Sequence, residues 1–545
     1  MIMVCAAVII PGCKKDPIVS DNNIPPIISF LSPNNNSMVY DGTIVRISAG
    51  TNVVRIVLSI DSADTRVFTA PPYEYRFSAA GYADGSHHTL IATAYTADSM
   101  ALSAASVSVT VVRAEPVNVE VISFTPEKIV LHWTDHSSAE TGFAIESSSD
   151  SGATYHRLTT TPANRESITV YAEFTPGTSY RFRTGAIIDS LVVFSPSVSK
   201  ICWITFLTSF SGIENGEGYC VRQTSDGGYI AGSSYSLSKV NSRGTKIWSS
   251  LPPVTIFCAL PTTDGGYIGG TRNAIQLLKF DNTGTMLWGK YYGYNTSAET
   301  TPDILPTAEG GFAVLGNMYP DTVNRGDITL VITDGAGKLL RQNMYGGTTY
   351  DTGNRFIRTQ DGGYAIAGTA LNFTTSISDL YVIKTAADGT REWEKKIGTG
   401  TTNYTGNGIA QNSDGGFTLC GSIGFTNGLL VRTDAQGNVL WQKIFSGVNG
   451  GNERSLIRTT DNGYVVTGTQ YNGTAGTLDV LLTKFDASGT VLWTRTFGGN
   501  STDKGNWVEQ TADGGYIIAG STTPAEGGYA RTLLIKTDDE GNVYQ

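Results

Sequence analysis

Charge is scarce in this chain of 545 residues: Asp, Glu, Lys and Arg together make up only 16% of it. Long solvent-facing helices need more charge, and fewer than the 63 glycines found here. Turn-rich β structure is what such a composition suits. The net charge of −10 argues against a nucleic-acid partner, whose phosphates require a basic surface. Histidine is scarce as well, and His87, His88, His132, His136 and His156 all fall in the first third of the chain. The remainder can build no Ser-His-Asp triad, His general base or His metal site. Adjacent His87 and His88 point to opposite faces of a strand and do not readily share a metal. Long apolar runs are missing: Met1 to Gly12 (MIMVCAAVIIPG) is shorter than the roughly 20 residues of a spanning helix, and nothing later is longer. Of six cysteines, none forms a CxxC pair, so no metal or cofactor is called for. Cys220 and Cys258 occupy equivalent repeat positions. These are expected to lie beyond the roughly 7 Å a disulfide allows, leaving buried free thiols.

What the chain has in abundance is a repeated phrase. SDGGYIAGS at Asp226 returns, varied, at Asp264, Glu309, Asp361, Asp414, Asp461 and Asp513, at intervals of 38 to 53 residues. That period, with several short strands per copy, is the signature of a β-propeller. The copy around Asp461 shows the unit. SLIRT is a first strand, and TDNG is a tight turn in which the aspartate bonds its own backbone and glycine takes positive φ. GYVVTGT is a second strand, DVLLTKFD a third, ASGT another tight turn and VLWTRTF a fourth. Four strands in each of seven copies predict a seven-bladed propeller. Trp288, Trp393, Trp441 and Trp493 follow the second tight turn, where a large ring can fill the space between blades. Copies one and two are one residue shorter between the turn and the next glycine, which predicts a different bulge there.

The last copy stops at NVYQ, where an outer strand is due. Ile204 to Phe210 resembles such a strand, as in WQKIFSG at Trp441, so this N-terminal segment is expected to pair with Leu533 to Thr537 and close the ring.

The Asp…Gly…Trp spacing resembles both the Asp-box of sialidase-type propellers and the tryptophan-docking motif of quinone-dependent dehydrogenases, one residue short of the latter. The chain is more similar to bacterial surface propeller repeats of the form DGGYIIAGS…LIKTD..GN..W…FGG, a resemblance that implies no single activity. A quinone-dependent redox role is a distant third reading.

At the N-terminus, the apolar run ends in Gly12 before Cys13, Lys14 and Lys15. It resembles the lipobox of bacterial lipoproteins. That resemblance implies cleavage before Cys13 and acylation of its thiol and new amino group, giving an outer membrane lipoprotein at the cell surface or periplasmic face. Several acyl chains would hold it firmly. Residues 14–24 (KKDPIVSDNNI) are polar and aperiodic, as a tether is.

Between tether and repeats lie two short-stranded segments. Residues 25–113 alternate apolar and polar residues between turns such as SPNNNS and ADGS, which suggests an antiparallel sandwich. Ala70 to Asp98 resembles the bacterial immunoglobulin-like domains of surface proteins. In residues 114–200, IVLHW ending at Trp133 and TPGTSYRFR around Tyr180 resemble a fibronectin type III domain, with Trp133 as its core tryptophan. The resemblance implies fold and not activity.

The expected architecture is therefore all-β: two β-sandwich domains followed by a seven-bladed β-propeller closed by an N-terminal strand. Its divisions are signal peptide 1–12, tether 13–24, immunoglobulin-like sandwich 25–113, fibronectin type III sandwich 114–200 and propeller 201–545. Function is expected on the face carrying the long, variable connections. These offer Tyr294, Tyr319, Tyr350, Phe373, Tyr404, Tyr471 and Tyr529 as candidate ligand-binding rings among amides and hydroxyls, a mixture suited to sugar. The connections between strands two and three are short in copies one and two, so a notch is expected there. A glycan or protein ligand is the first expectation. The alternative is a glycan-active hydrolase or lyase using loop carboxylates, for which Asp303, Asp321, Asp351, Glu453 and Asp503 are candidates and their separation decisive. Arg325-Gly326-Asp327 spells an integrin-type tripeptide, but its aspartate holds a repeat position shared with Asp379 and Asp479.

Overall fold

The structure, a computed structural model, describes residues 28–544 apart from residues 80, 137–139, 189–190, 211–215, 295–297, 320–325, 348, 425–426, 446–454 and 474–475. The leader, Cys13 and the tether lie outside the described residues, as do Asp321, Arg325 and Glu453. All regular structure among the described residues is β-strand, so no helix there is long and apolar enough to cross a membrane. The chain divides into two compact units. One holds Met1–Ile122, Ile129–Ala172 and Ser179–Lys200. The other holds Ile201–Gln545 with Ser123–Lys128 and Glu173–Thr178.

The first unit contains two three-stranded and two five-stranded sheets. Ile28–Ser32, Ile44–Ala49 and Tyr73–Arg76 form one small sheet, and His87–Tyr95 and Ala101–Val111 lie within a five-stranded one. Alternation decides which side chains are buried: along Arg55–Ile60 it is Ile56, Leu58 and Ile60 that join the core with Leu90, Ala92 and Val109. In the later pair of sheets Trp133 is fully buried, its ring 5.3 Å from that of Phe143.

The second unit is built from seven four-stranded antiparallel sheets. In six of them the strands follow sequence order. The seventh is Thr502–Gln510, Tyr516–Thr523, Arg531–Thr537 and, from far upstream, Phe206–Phe210. Phe206 pairs with Lys536 and Phe210 with Thr532. The first strands of successive sheets abut one another, and Thr502–Gln510 of the seventh abuts Gly218–Gln223 of the first. The result is a propeller-like ring.

Two recurring devices explain why this sequence makes these sheets. Within a sheet, the aspartate of the first tight turn accepts from its own backbone two residues on, as Gly463 N–H donates to Asp461 Oδ1 at 3.1 Å. It also receives the ammonium of a third-strand lysine, Lys484. Between sheets, each outer-strand tryptophan lies on the positive-φ glycine of the next sheet's second tight turn. A Cβ on Gly284 would come 2.6 Å from Trp248, and one on Gly489 would come 2.5 Å from Trp441. The same rings meet the aromatic residue that follows the next sheet's Asp-Gly-Gly turn, as Trp248 meets Tyr267 and Trp493 meets Tyr516. Phe206 plays this part for the seventh sheet, lying against Gly244 and Tyr229 of the first.

Cys202, Cys220, Cys258 and Cys420 are buried and form no disulfide.

Candidate functional site

The first strand of a sheet is interrupted by a β-bulge four pairs from its Asp-Gly-Gly turn. The register slips between Gly218 and Cys220, Ile256 and Cys258, Gly353 and Arg355, and Gly505 and Trp507. The expected difference in sheets one and two is therefore corrected, because the bulge sits at one place in all four. What differs is the glycine opposite. In the fourth sheet a Cβ on Gly368 would lie 2.0 Å from the Thr352 carbonyl, which the bulge pushes toward it. A bulge leaves one residue unpaired and re-aims its side chain. Here the freed residues Tyr219, Phe257, Asn354 and Asn506 all line one pocket of about 370 Å³. Pro302 and Asn407, at the same distance before their turns, line it as well.

The pocket lies where second strands end and first strands begin, the end that carries the long connections. Asn317 and Tyr319, from the end of the third sheet's second strand, complete the wall with Arg272 of the short TRNAI connection in the second sheet. The amides are fixed. Asn317 Nδ2 donates to Gly353 O at 3.1 Å and its Oδ1 accepts from Gly353 N–H at 2.8 Å. Asn354 Nδ2 donates to Gly406 O and Asn506 Nδ2 to Gly218 O, both at 2.8 Å. A second depression of about 340 Å³, bordered by Tyr350, Ser376, Ser378 and Asn403, shares Thr352 with the first.

A charged cluster from four first strands includes Arg355 and Trp507 of the pocket wall. Arg222 Nη1 meets Glu509 Oε1 at 2.5 Å and its Nη2 meets Asp303 Oδ1 at 3.4 Å, while Arg355 Nη1 lies 3.6 Å from Asp303 Oδ2. The Arg355 guanidinium carbon sits 3.4 Å from the Trp507 ring centre, a close cation–π stack. The two arginines and two carboxylates balance in charge. Burial works against the charge on Arg222, but Glu509 and Asp303 outweigh it and raise its pKa. At Arg355 burial prevails and lowers the pKa, and burial likewise raises that of Glu509.

The aromatic residues expected to bind ligand are dispersed. Tyr319, Tyr350 and Phe373 do cluster: the tyrosine hydroxyls are hydrogen-bonded, and the Phe373 ring stands edge-on 5.8 Å from that of Tyr350. Only Tyr319 of this set borders the pocket walled by Asn354 and Asn506. Tyr404 is a correction. It is 4% exposed and belongs to the core between the fourth and fifth sheets. Tyr294 and Tyr529 are exposed on their connections, Tyr471 is exposed near the end of the strand Tyr464–Asn472, and none of the three borders either depression. Among the carboxylates, Asp303 is committed to its two arginines. Asp351 is buried against Thr349, and Asp503 is buried with Asp479 near it; burial raises the pKa of both. The other two candidates, Asp321 and Glu453, lie outside the described residues. The residues that do form the wall were legible in one way: Tyr219, Phe257, Pro302, Asn354, Asn407 and Asn506 each stand seven positions before the acid of their turn.

The chain matches no described protein family and no curated protein. Among solved structures, it is similar to a protein of unknown function from Bacteroides caccae, at 12% identity and a TM-score of 0.34 over 52% of this chain and 94% of that one. It is also similar to the WD40 domain of Pan2 from Neurospora crassa, at 10% identity and a TM-score of 0.38 over 61% and 91%.

Proposed function

We propose that the second unit is a closed seven-bladed propeller and a binding head, carried by immunoglobulin-like and fibronectin type III sandwiches on a lipid anchor at Cys13, and that it takes a glycan. The observation that carries the ligand reading is the pocket wall. Phe257 and Tyr319 bring apolar ring surface beside the amides of Asn317, Asn354 and Asn506, with Tyr219 buried against Phe257 and Trp507 buried beside Arg355. Sugars present both surfaces, a face of C–H groups and a rim of hydroxyls. Amides held by backbone bonds are preorganised, which spares the ordering cost of binding. The seven equivalent sheets, the ring of first strands and Phe206 taking the tryptophan's part support the closed propeller. The apolar leader ending at Gly12-Cys13 supports the outer-membrane address.

The test is a glycan array probed with the purified full chain, followed by incubation of each hit to look for cleavage. Saturable binding without product is expected. Product would favour the alternative, a glycan-active hydrolase or lyase. No glycan binding at all would overturn the reading.

A further inference from the structure

We propose that the sugar taken by this pocket is acidic and that Arg272 recognises its carboxylate, an inference that rests on the glycan reading above. The argument begins with the distribution of charge. Arg355, the other cation of the wall, is already matched by Asp303, and Arg222 below it by Glu509. Arg272 is not matched: no carboxylate among the described residues pairs with it. Its Nη1 donates to the Tyr219 hydroxyl at 3.2 Å, which in turn donates to Glu217 Oε2 at 3.2 Å, a carboxylate already paired with Lys504; the remaining Arg272 side-chain N–H groups make no other hydrogen bond among the described residues. The guanidinium carbon stands 6.0 Å from the ring centres of both Tyr219 and Phe257, which pack against each other at 4.9 Å. The wall therefore holds, among the described residues, one arginine with no carboxylate in direct contact, beside the rings of Tyr219 and Phe257.

The chemistry that completes this arrangement is a planar anion attached to a sugar ring. Guanidinium presents its donors as a flat fork that matches the two oxygens of a carboxylate. Tyr219 and Phe257 offer apolar surface to the ring, and Asn354 and Asn506 are placed to meet its hydroxyls. A uronic or sialic acid has all three features. A neutral sugar would leave the fork without an acceptor.

The full chain should be screened on an array that pairs uronate- and sialate-containing oligosaccharides with neutral ones. The tightest acidic ligand and its carboxyl-reduced form are then titrated calorimetrically against the native chain, Arg272→Gln and Arg272→Lys. The expected result is a preference for the acidic ligand. Loss on carboxyl reduction or in Arg272→Gln should be on the order of 10- to 100-fold, with Arg272→Lys between. Arg272 is exposed, so unchanged melting of both variants is expected and separates lost recognition from lost fold. Equal affinity for acidic and neutral forms, unmoved by Arg272→Gln, would overturn this inference and leave the glycan reading standing. Failure of every oligosaccharide would overturn both.

Discussion

Lys484 Nζ lies 2.7 Å from Asp461 Oδ1, so a buried ammonium on the sixth sheet's third strand meets the carboxylate of that sheet's first tight turn. The pair recurs as Lys239 with Asp226, Lys279 with Asp264, Lys384 with Asp361, Arg432 with Asp414 and Lys536 with Asp513. Its two members are unequal. Lys484 is 4% exposed and Asp461 is 60% exposed.

That inequality sets the response to mutation. Asp461→Ala leaves an ammonium buried with the Thr459 hydroxyl as its remaining partner, and should cost about 3 kcal/mol. Lys484→Met removes the buried charge and returns Asp461 to water, and should cost about 1 kcal/mol. Denaturant melts of the two variants check the order. An equal or reversed cost would show that the lysine is not the member that depends on the pair.

Acid should unfold this unit in a defined window. The turn carboxylates of Asp226, Asp264, Asp361 and Asp461 are held down to about 2. At Asp264 the largest cause is the Thr262 hydroxyl. At the other three, burial pulls upward and is outweighed by hydrogen bonds from the lysine and threonine. A carboxylate with a folded pKa below its unfolded value of about 3.9 stabilises the fold above that value, and the contribution fades as pH falls toward 2. Glu509, Asp351 and Asp503, raised by burial, act in the opposite sense and offset part of the loss. The melting temperature should change little from pH 8 to 5 and drop between pH 4 and 2. A melting temperature unchanged across that lower interval would contradict the assignment.

The closing strand is open to a simple comparison. Phe206 lies on Gly244 and Tyr229, whereas its neighbour Leu207 is 43% exposed. Phe206→Ala should destabilise the second unit by about 2 kcal/mol, less than a fully buried phenylalanine because the ring is only partly enclosed. Leu207→Ser should stay within about 0.5 kcal/mol. Thermal melts of both variants, with proteolysis to show whether residues 201–210 are released, give the answer.

The proposed lipid anchor is tested in cells. Cys13→Ala should abolish incorporation of labelled fatty acid and move the protein from the membrane fraction to the soluble one. Retained label would place acylation elsewhere.

Periodicity alone determined the all-β class and the seven four-stranded units, because a tight turn needs Asp and Gly at set offsets and each copy repeats them in one dimension. It also pointed to Ile204–Phe210 as the segment that completes the seventh sheet, of which Phe206–Phe210 forms the strand, since an outer strand has its own local pattern. The pocket wall was a different matter. Loop aromatics such as Tyr404 and Tyr529 looked equivalent in sequence, yet one is core and the other solvent, because burial depends on what packs above each connection. The wall comes from Tyr219, Phe257, Asn354 and Asn506, which share a position but not a residue type. Only the bulge in the folded strand turns them inward, and only the fold brings Arg272 beside Tyr219 and Phe257, with no carboxylate paired to it among the described residues.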